Sequence, residues 1–343
     1  MTSAAAVLLA GCSGQDVAEA DPQVVEPVET ARPATPRPAP TLEETARTEA
    51  DTRAATRERS GGLPTLAGIA EPQLSTMPLT DNIDAMMGPG GNIAVLYTDA
   101  GALVVDDKFE RFGDEILARV AARGGAAPAY VLNTHFHGDH TGSNVRMRQA
   151  GATVVAQDGT LDLMTSTTPS ELFGQTREPR EDAALPDITF GNSMNLRFGG
   201  ETVSLTHAPA GHTGGDMLVH FVNEDVLHMG DTLFNGMWPV IDIEAGGSLE
   251  GMIAAQGAGL RLADEDTVIV PGHGEITDRE GLEASRAIMI ELRDIVRARI
   301  DAGDTLEEVL EANPVSEFGF DGGFINDEAI LRTAYRSLSE SQP

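Results

Sequence analysis

The chain is poor in cysteine, in aromatic residues and in positive charge. Its one cysteine, Cys12, has no partner for a disulfide within the chain. Aromatic residues make up 4% of the 343 residues, so the core must be built mainly from aliphatic side chains and methionine. Lysine and arginine number 23 against 54 acidic residues, which gives a formal net charge of -31. Because nucleic-acid binding needs a basic surface, this charge argues against a nucleic-acid partner and indicates a solvated acidic surface.

The N-terminus carries a short apolar run that ends at the cysteine. The sequence Leu9-Ala-Gly-Cys12 resembles the lipobox of bacterial lipoproteins, in which the leader is removed and the cysteine carries the lipid. No lysine or arginine precedes the run, which departs from the usual signal peptide. The resemblance predicts a signal peptide over residues 1–12, lipidation of Cys12, and a periplasmic protein anchored to the membrane by its lipid. The run itself is too short to span a bilayer as a helix.

Residues 13–62 have the composition of a linker. They are rich in proline, alanine, threonine, glutamate and arginine, and they contain few large apolar residues. Such a segment cannot bury enough apolar surface to offset the entropy lost on ordering, so we predict a disordered tether. Residues 63–343 show no second linker and are predicted to form one domain with helices at its C-terminal end.

Short apolar segments in this domain alternate with helical patterns. Asn92–Tyr97 and Gly101–Asp106 are predicted strands joined by a turn, and residues 109–123 have the apolar spacing of a helix. Strands followed by helices recur in the second half of the chain. This order predicts an α/β fold, a four-layer αββα sandwich of two mixed β-sheets flanked by helices.

Histidine and aspartate concentrate in one short run and in three glycine-rich turns. A glycine-rich turn alone is weak evidence for a metal site, but the combination of all four is strong evidence. Three imidazoles would bind one ion, a second set would bind another, and one aspartate would bridge them. We assign His135, His137 and His212 to the first ion, Asp139, His140 and His273 to the second, and Asp231 to the bridge.

Nitrogen and oxygen donors of this kind suit two zinc ions per chain best, with iron or manganese as alternatives. Two such ions activate water for hydrolysis, and Asp139 is expected to accept a proton from that water. Asn235 and Trp238 are predicted to contact the substrate, and Met86 and Met87 either line the site or pack in the core. Further residues are candidates to hydrogen-bond the ligands: Thr134, Thr141, His207, Thr213, Asp216 and His228.

The ligand pattern resembles that of the metallo-β-lactamase superfamily. The match comprises His-X-His-X-Asp-His at residues 135–140, then His212, Asp231 and His273 in the same order, within residues 92–273. The resemblance implies the αββα fold and a dinuclear zinc site, but not a substrate, because this fold carries many hydrolytic activities. Asp231 stands where the commonest lactamases have cysteine, and Phe234 stands where they have the lysine that holds the substrate carboxylate. A β-lactam would then bind through its carboxylate either to the metal itself or to Asn235.

The resemblance therefore implies an exported dizinc hydrolase that opens a cyclic amide or ester, with β-lactams as the leading class. A thioesterase similar to glyoxalase II, or a lactonase, is the alternative enzyme. A metal-binding sensor on the same fold is the alternative without catalysis. The expected partner is a small-molecule substrate, and no protein partner is inferred.

Overall fold

The computed structural model describes residues 62–124, 126–208, 210–320 and 322–340. The chain divides into two units, Met1–Thr45 and Ala46–Pro343, and every described residue belongs to the second unit. The predicted signal peptide, Cys12 and all but the last residue of the predicted linker lie outside the described residues. Within the described part, no helix combines the length and the apolar character that crossing a membrane requires.

The first of two large sheets contains seven strands, in the order β1-β2-β3-β4-β5-β6-β9. It is mixed, because β1 to β4 run antiparallel whereas β4, β5, β6 and β9 run parallel. Its strands are β1 (Ser75–Pro78), β2 (Ile83–Met87), β3 (Ile93–Thr98), β4 (Gly101–Val105), β5 (Pro128–Asn133), β6 (Thr153–Gln157) and β9 (Ile188–Phe190).

The second sheet contains five strands in chain order, antiparallel except for the last pair. They are β10 (Ser193–Phe198), β11 (Glu201–His207), β12 (Met217–Phe221), β13 (Val226–Phe234) and β14 (Val268–His273). A separate two-stranded hairpin lies between β6 and β9 in the sequence. Its strands are β7 (Thr168–Ser170) and β8 (Gln175–Arg177). We call residues 168–177 the projecting hairpin.

Helices cover the outer faces of both sheets. Two helices, which contain Ile116 and Met147, pack on the first sheet. Two others, which contain Ala255 and Leu282, pack on the second sheet, and the C-terminal helices pack against these two. The helices are α1 (Gly113–Gly124), α2 (Gly138–Thr141), α3 (Asn144–Gln149), α4 (Asp158–Thr165), α5 (Leu249–Leu262), α6 (Arg279–Asp301), α7 (Leu306–Ala312) and α8 (Asp327–Glu340).

Alternation of side chains along the strands produces the four layers. In β3, Ile93 and Val95 face α1, whereas Ala94 and Leu96 face the other sheet. They meet side chains such as Val203 of β11, and all of these residues are buried. Successive strand residues point to opposite faces, so one apolar strand fills two interfaces. The predicted αββα sandwich is therefore confirmed.

Several boundaries differ from the sequence predictions. Strands β1, β2 and β9, and the projecting hairpin, were not predicted. Strand β1 is exposed, β9 and the hairpin strands have three residues each, and Asp84 interrupts the apolar run of β2. Strand β13 continues to Phe234 through irregular pairing with β14, past the glycine-rich turn that the sequence predicts around Asp231. Asp231 consequently lies within a distorted strand rather than in a turn after it.

Candidate metal centre

The seven predicted ligands converge at one place. Within each of two groups, the potential donor atoms lie within 4.8 Å of one another. The run at residues 135–140 follows the end of β5, whereas the other ligands come from the second sheet and its loops. The first group is His135, His137, His212 and Asp231, and the second is Asp139, His140 and His273.

In the first group, three imidazoles and a carboxylate face one another. His212 Nε2 lies 2.7 Å from His137 Nδ1. Asp231 Oδ2 lies 3.5 Å from His212 Nε2 and 3.7 Å from His135 Nε2. His135 and His212 thus direct Nε2, and His137 directs Nδ1, toward one shared point.

The second group adjoins the first through the same aspartate. His273 Nε2 lies 3.3 Å from Asp139 Oδ2 and 3.4 Å from His140 Nε2. Asp231 Oδ1 is 3.1 Å from His140 Nε2, and Asp231 Oδ2 is 3.4 Å from His273 Nε2. Asp231 therefore lies between the groups, as a bridging ligand would.

Two buried atoms of the cluster have no partner among the described residues in the geometry of a hydrogen bond. They are His135 Nε2 and Asp231 Oδ1, and both point into the cluster. A buried polar atom without a partner is costly, and a cation at this point would satisfy both of these. Burial also holds the pKa of His135 well below its usual value and lowers that of His137 to about 4. Both imidazoles are thereby kept neutral, the form that binds metal.

In the second group, nearby carboxylates outweigh burial and favour the charged form of the histidines. Burial alone would lower the pKa of His140, but the carboxylates of Asp231, Asp139 and Asp106 outweigh it and raise this pKa well above its usual value. Burial is outweighed in the same way at His273, where Asp231 and Asp139 raise the pKa to about 9. This group therefore favours positive charge, which a divalent ion would supply in place of protons.

Two glycines allow other chain segments to approach the ligands closely. A Cβ atom at Gly91 would overlap the ring of His140, and one at Gly272 would overlap Asp231 Oδ1. The segment that contains Gly91 is held by Lys108, whose buried ammonium group donates hydrogen bonds to backbone carbonyls, including that of Gly91. Burial lowers the pKa of Lys108 to about 8.

Asp106 orients His140, and sequence reasoning missed it. Its Oδ2 accepts hydrogen bonds from Thr134 Oγ1 at 2.8 Å and from His140 Nδ1 at 2.7 Å, while Oδ1 accepts from Thr134 N at 2.7 Å. Asp106 is fully buried and has a positive φ of 62°. A signal existed in the sequence, because three charged residues, 106–108, follow the apolar strand β4 directly.

Asp242 plays a similar part for His137 and was also missed. Its Oδ2 lies 2.9 Å from His137 Nε2 and 2.7 Å from Arg177 Nη1 on the projecting hairpin. His212 is oriented by the carbonyl oxygen of Val240, 2.6 Å from its Nδ1. Each of these contacts leaves the opposite ring nitrogen free to bind a metal ion.

Most of the predicted supporting residues lie beside ligands. Asp216 accepts hydrogen bonds from the backbone N–H groups of His212 and Thr213. Thr134 Oγ1 lies 3.1 Å from His135 Nδ1, and Thr141 donates to the carbonyl oxygen of His137. His207 contacts the carbonyl oxygen of Gly214, and His228 accepts from Gly230 N beside Asp231.

The predicted substrate contacts lie elsewhere. Trp238 is fully buried in the helical core, and its Nε1 donates to Asp327 Oδ1 at 2.8 Å. Met86 is fully buried against the first sheet, and Asn235 donates from Nδ2 to the carbonyl oxygen of Glu275. None of these residues, nor Met87, lines the cavity above the ligands. Because Trp238 has no exposed surface, the prediction that it contacts the substrate is wrong. The role of Asn235, which is partly exposed, stays a prediction.

A cavity of about 460 Å³ opens above the ligands. Phenylalanines form much of its wall, two of them exposed, and two arginines face it from the region of the projecting hairpin. The size falls within the range of small-molecule sites. Besides ligands, the lining includes Phe109, Phe173, Gln175, Arg177, Arg180, Phe234, Val240 and Phe324.

Comparison with known proteins identifies the family. The sequence model of the metallo-β-lactamase superfamily matches residues 88–273, more than half of the chain. A hydroxyacylglutathione hydrolase from Methylococcus capsulatus is 34% identical over 120 residues, which cover 35% of this chain and 39% of that protein. The corresponding enzyme of Pelagibacter ubique is 32% identical over 31% of this chain and 36% of its own length. The chain thus spans under two fifths of these relatives.

Solved structures share the fold at low sequence identity. A metallo-β-lactamase from Pontibacter korlensis has a TM-score of 0.53 and 18% identity, and the similarity covers 63% of this chain and 99% of that one. A sec-alkyl sulfatase has a TM-score of 0.62 and 13% identity over 78% of this chain and 51% of its own. Together with the geometry of the seven ligands, the matched family model establishes that the chain belongs to the metallo-β-lactamase superfamily.

Proposed function

We propose that this chain is a dizinc hydrolase that opens a cyclic amide or ester, with β-lactams as the leading substrate class. The observation that carries the proposal is the pair of adjoining donor groups that share Asp231 beneath an open cavity. Two divalent ions bound there would activate a water molecule near neutral pH and polarise the substrate carbonyl.

The protein's own groups have three tasks in this reaction. The buried contacts from Asp106, Asp242 and Val240 fix the orientation of the histidines, so that donor atoms need no rearrangement. The phenylalanines of the cavity wall offer apolar surface to the part of the substrate beside the reacting carbonyl. Asp139 accepts the proton of the attacking water at a carboxylate oxygen, because it is the more exposed of the two clustered aspartates and lines the cavity.

A substrate panel tests this proposal. The zinc-loaded chain is assayed against a β-lactam, a lactone and an acyl thioester with similar acyl groups. We expect hydrolysis that chelation abolishes and zinc restores. Asp139→Asn should lower kcat by about 100-fold or more, the usual contribution of a general base. Asp162→Asn is the matched control, since Asp162 is an exposed residue of α4 away from the cavity lining.

Two outcomes would contradict parts of the proposal. If the chain binds two zinc ions but hydrolyses no member of the panel, the metal-binding sensor becomes the better interpretation. If Asp139→Asn keeps the full rate, Asp139 is not the proton acceptor, although the hydrolase assignment stands.

A second candidate is a thioesterase. Two relatives are named hydroxyacylglutathione hydrolases, and the bridging position is aspartate rather than the cysteine of common lactamases. The two candidates differ in the leaving group, which is a ring nitrogen or oxygen in one case and a thiolate in the other. A kcat/KM for the thioester that exceeds that for the β-lactam by more than 10-fold would favour the thioesterase.

We also propose export and a lipid anchor, on the sequence evidence at Cys12. Mass spectrometry of protein from the membrane fraction should find diacylglycerol on Cys12 as the first residue. Cys12→Ser should move the protein to the soluble fraction. Wild-type protein that retains residues 1–11 and remains in the cytoplasm would contradict export.

A further inference from the structure

The wall of the cavity beside the ligand run carries a guanidinium group that no carboxylate of the described residues pairs with. Arg180 Nη2 lies 3.5 Å from the carbonyl oxygen of Phe136, between two histidine ligands. Among the described residues, Arg180 forms no ion pair, although it is half-buried and lines the cavity. The buried carboxylate of Asp107 attracts it only from beyond ion-pair distance. Its backbone is fixed, because Arg180 N donates to the carbonyl oxygen of Met164 at 2.7 Å.

The neighbouring arginine is already engaged. Arg177 Nη1 pairs with Asp242 Oδ2 at 2.7 Å, and its Nη2 donates to Ser170 Oγ at 3.3 Å. Arg177 therefore supports the ligand His137 through Asp242. Of the two arginines described in the cavity lining, Arg180 is the one available to a ligand. Since Asp242 balances the charge of Arg177, Arg180 is the guanidinium group of this wall without an ion pair among the described residues, on a chain whose formal net charge is -31.

Two exposed phenylalanines stand on different segments of the cavity lining. Phe173 is 48% exposed in the turn of the projecting hairpin, and Phe324 is 57% exposed in the segment before α8. Phe324 packs edge-on against the ring of His273, with the centroids 4.6 Å apart. Large apolar side chains exposed beside a polar site commonly mark a ligand surface.

We infer that the substrate of the proposed hydrolase is an amphipathic anion. Its carboxylate pairs with the guanidinium group of Arg180, and its apolar side group lies between Phe173 and Phe324. Arg180 lies beside the run at residues 135–140, whereas Phe324 packs on His273, so the carboxylate and the apolar side group lie beside different ligands. Charge-assisted contacts of arginine with carboxylate are strong and directional, so Arg180 fixes the orientation of the substrate. The inference rests on the proposed function and adds the substrate class to it.

A binding assay tests the inference separately from turnover. Calorimetry with the zinc-loaded full chain compares phenylacetate with phenylacetamide, which have the same ring but differ in charge. We expect wild type to bind phenylacetate at least 10-fold more tightly than phenylacetamide. Arg180→Gln should lose most of this preference, Arg180→Lys should recover part of it, and Arg332→Gln on α8 should keep it. Arg332 is a suitable control because, within the described part of the chain, it pairs only with exposed Glu328 and does not line this cavity.

A second comparison tests the predicted contacts of the apolar side group with Phe173 and Phe324. Phe173→Ala and Phe324→Ala should each weaken phenylacetate at least 3-fold while leaving acetate unchanged. The inference is overturned if wild type binds the acid no more tightly than the amide, or if Arg180→Gln weakens both compounds equally. If the anion preference is present but no substrate is hydrolysed, the proposed hydrolase falls whereas this binding site stands.

Discussion

The replacement of Asp106 by asparagine tests whether Asp106 holds His140 in the tautomer that binds a metal ion. Asp106 Oδ2 accepts from Thr134 Oγ1 and from His140 Nδ1, and the carboxylate is fully buried. In Asp106→Asn, an NH2 group takes the place of Oδ2 and faces the ring nitrogen. His140 Nδ1 then becomes the acceptor, and the proton of the neutral imidazole moves to Nε2, the atom that faces the cluster.

The expected loss of zinc affinity follows from this move of the proton from Nδ1 to Nε2 of His140. His140 belongs to the second donor group, with Asp139 and His273, so only the second metal should be weakened. Loss of the group that orients a metal-binding histidine typically costs 10- to 100-fold in affinity, or about 1.4 to 2.7 kcal/mol. The first group, which contains His135, should keep its affinity because it has separate orienting contacts.

The assay is a competitive zinc titration against a chromophoric chelator, with the number of bound ions as the readout. Asp84→Asn is the matched control: Asp84 is likewise a buried aspartate, but it pairs with Arg123 at the other end of the first sheet. We expect two ions with wild type and Asp84→Asn, and one tight and one weak ion with Asp106→Asn. Unchanged affinity for both ions would refute the orienting role of Asp106.

Three further predictions concern zinc binding and the stability of the fold. Gly272→Ala should displace Asp231, because the added Cβ overlaps its carboxylate, and elemental analysis should find less than one bound zinc. Trp238→Phe should lower the free energy of unfolding by about 1 to 2 kcal/mol through loss of the bond to Asp327, with KM unchanged. Burial alone would raise the pKa of Glu115, but hydrogen bonds from two backbone N–H groups and an arginine lower it below its usual value of 4.5. Because the folded-state pKa is the lower one, the advantage of wild type over Glu115→Gln in urea unfolding should be full above pH 4.5 and decline below it.

The ligands could be predicted from the sequence because their types and spacing are unusual. Four donors within residues 135–140, followed by His212, Asp231 and His273 beside glycines, form a combination that rarely arises by chance. The layers of the fold were also predictable, since strands and helices alternate in the apolar pattern. The ends of the strands were not. Strand β13 runs past His228 because Gly230, with a φ of 51°, lets its backbone pass close to Thr134.

The residues that orient the ligands were not predictable in the same way. Asp106 acts on a histidine 34 positions further along the chain, and Asp242 acts on one 105 positions before it. An aspartate carries no information in the sequence about so distant a partner. The error at Trp238 has the same origin, because its partner Asp327 lies in the C-terminal helix, 89 positions away.

The most direct test of the account is anomalous X-ray diffraction from crystals of the zinc-loaded chain. We predict two peaks at the zinc edge that share Asp231. One should lie about 2.0 to 2.2 Å from donor atoms of His135, His137 and His212, and the other at the same distances from Asp139, His140 and His273. No peak at these side chains, or a single peak bound by one group alone at saturating zinc, would contradict the claim that the seven residues hold two ions.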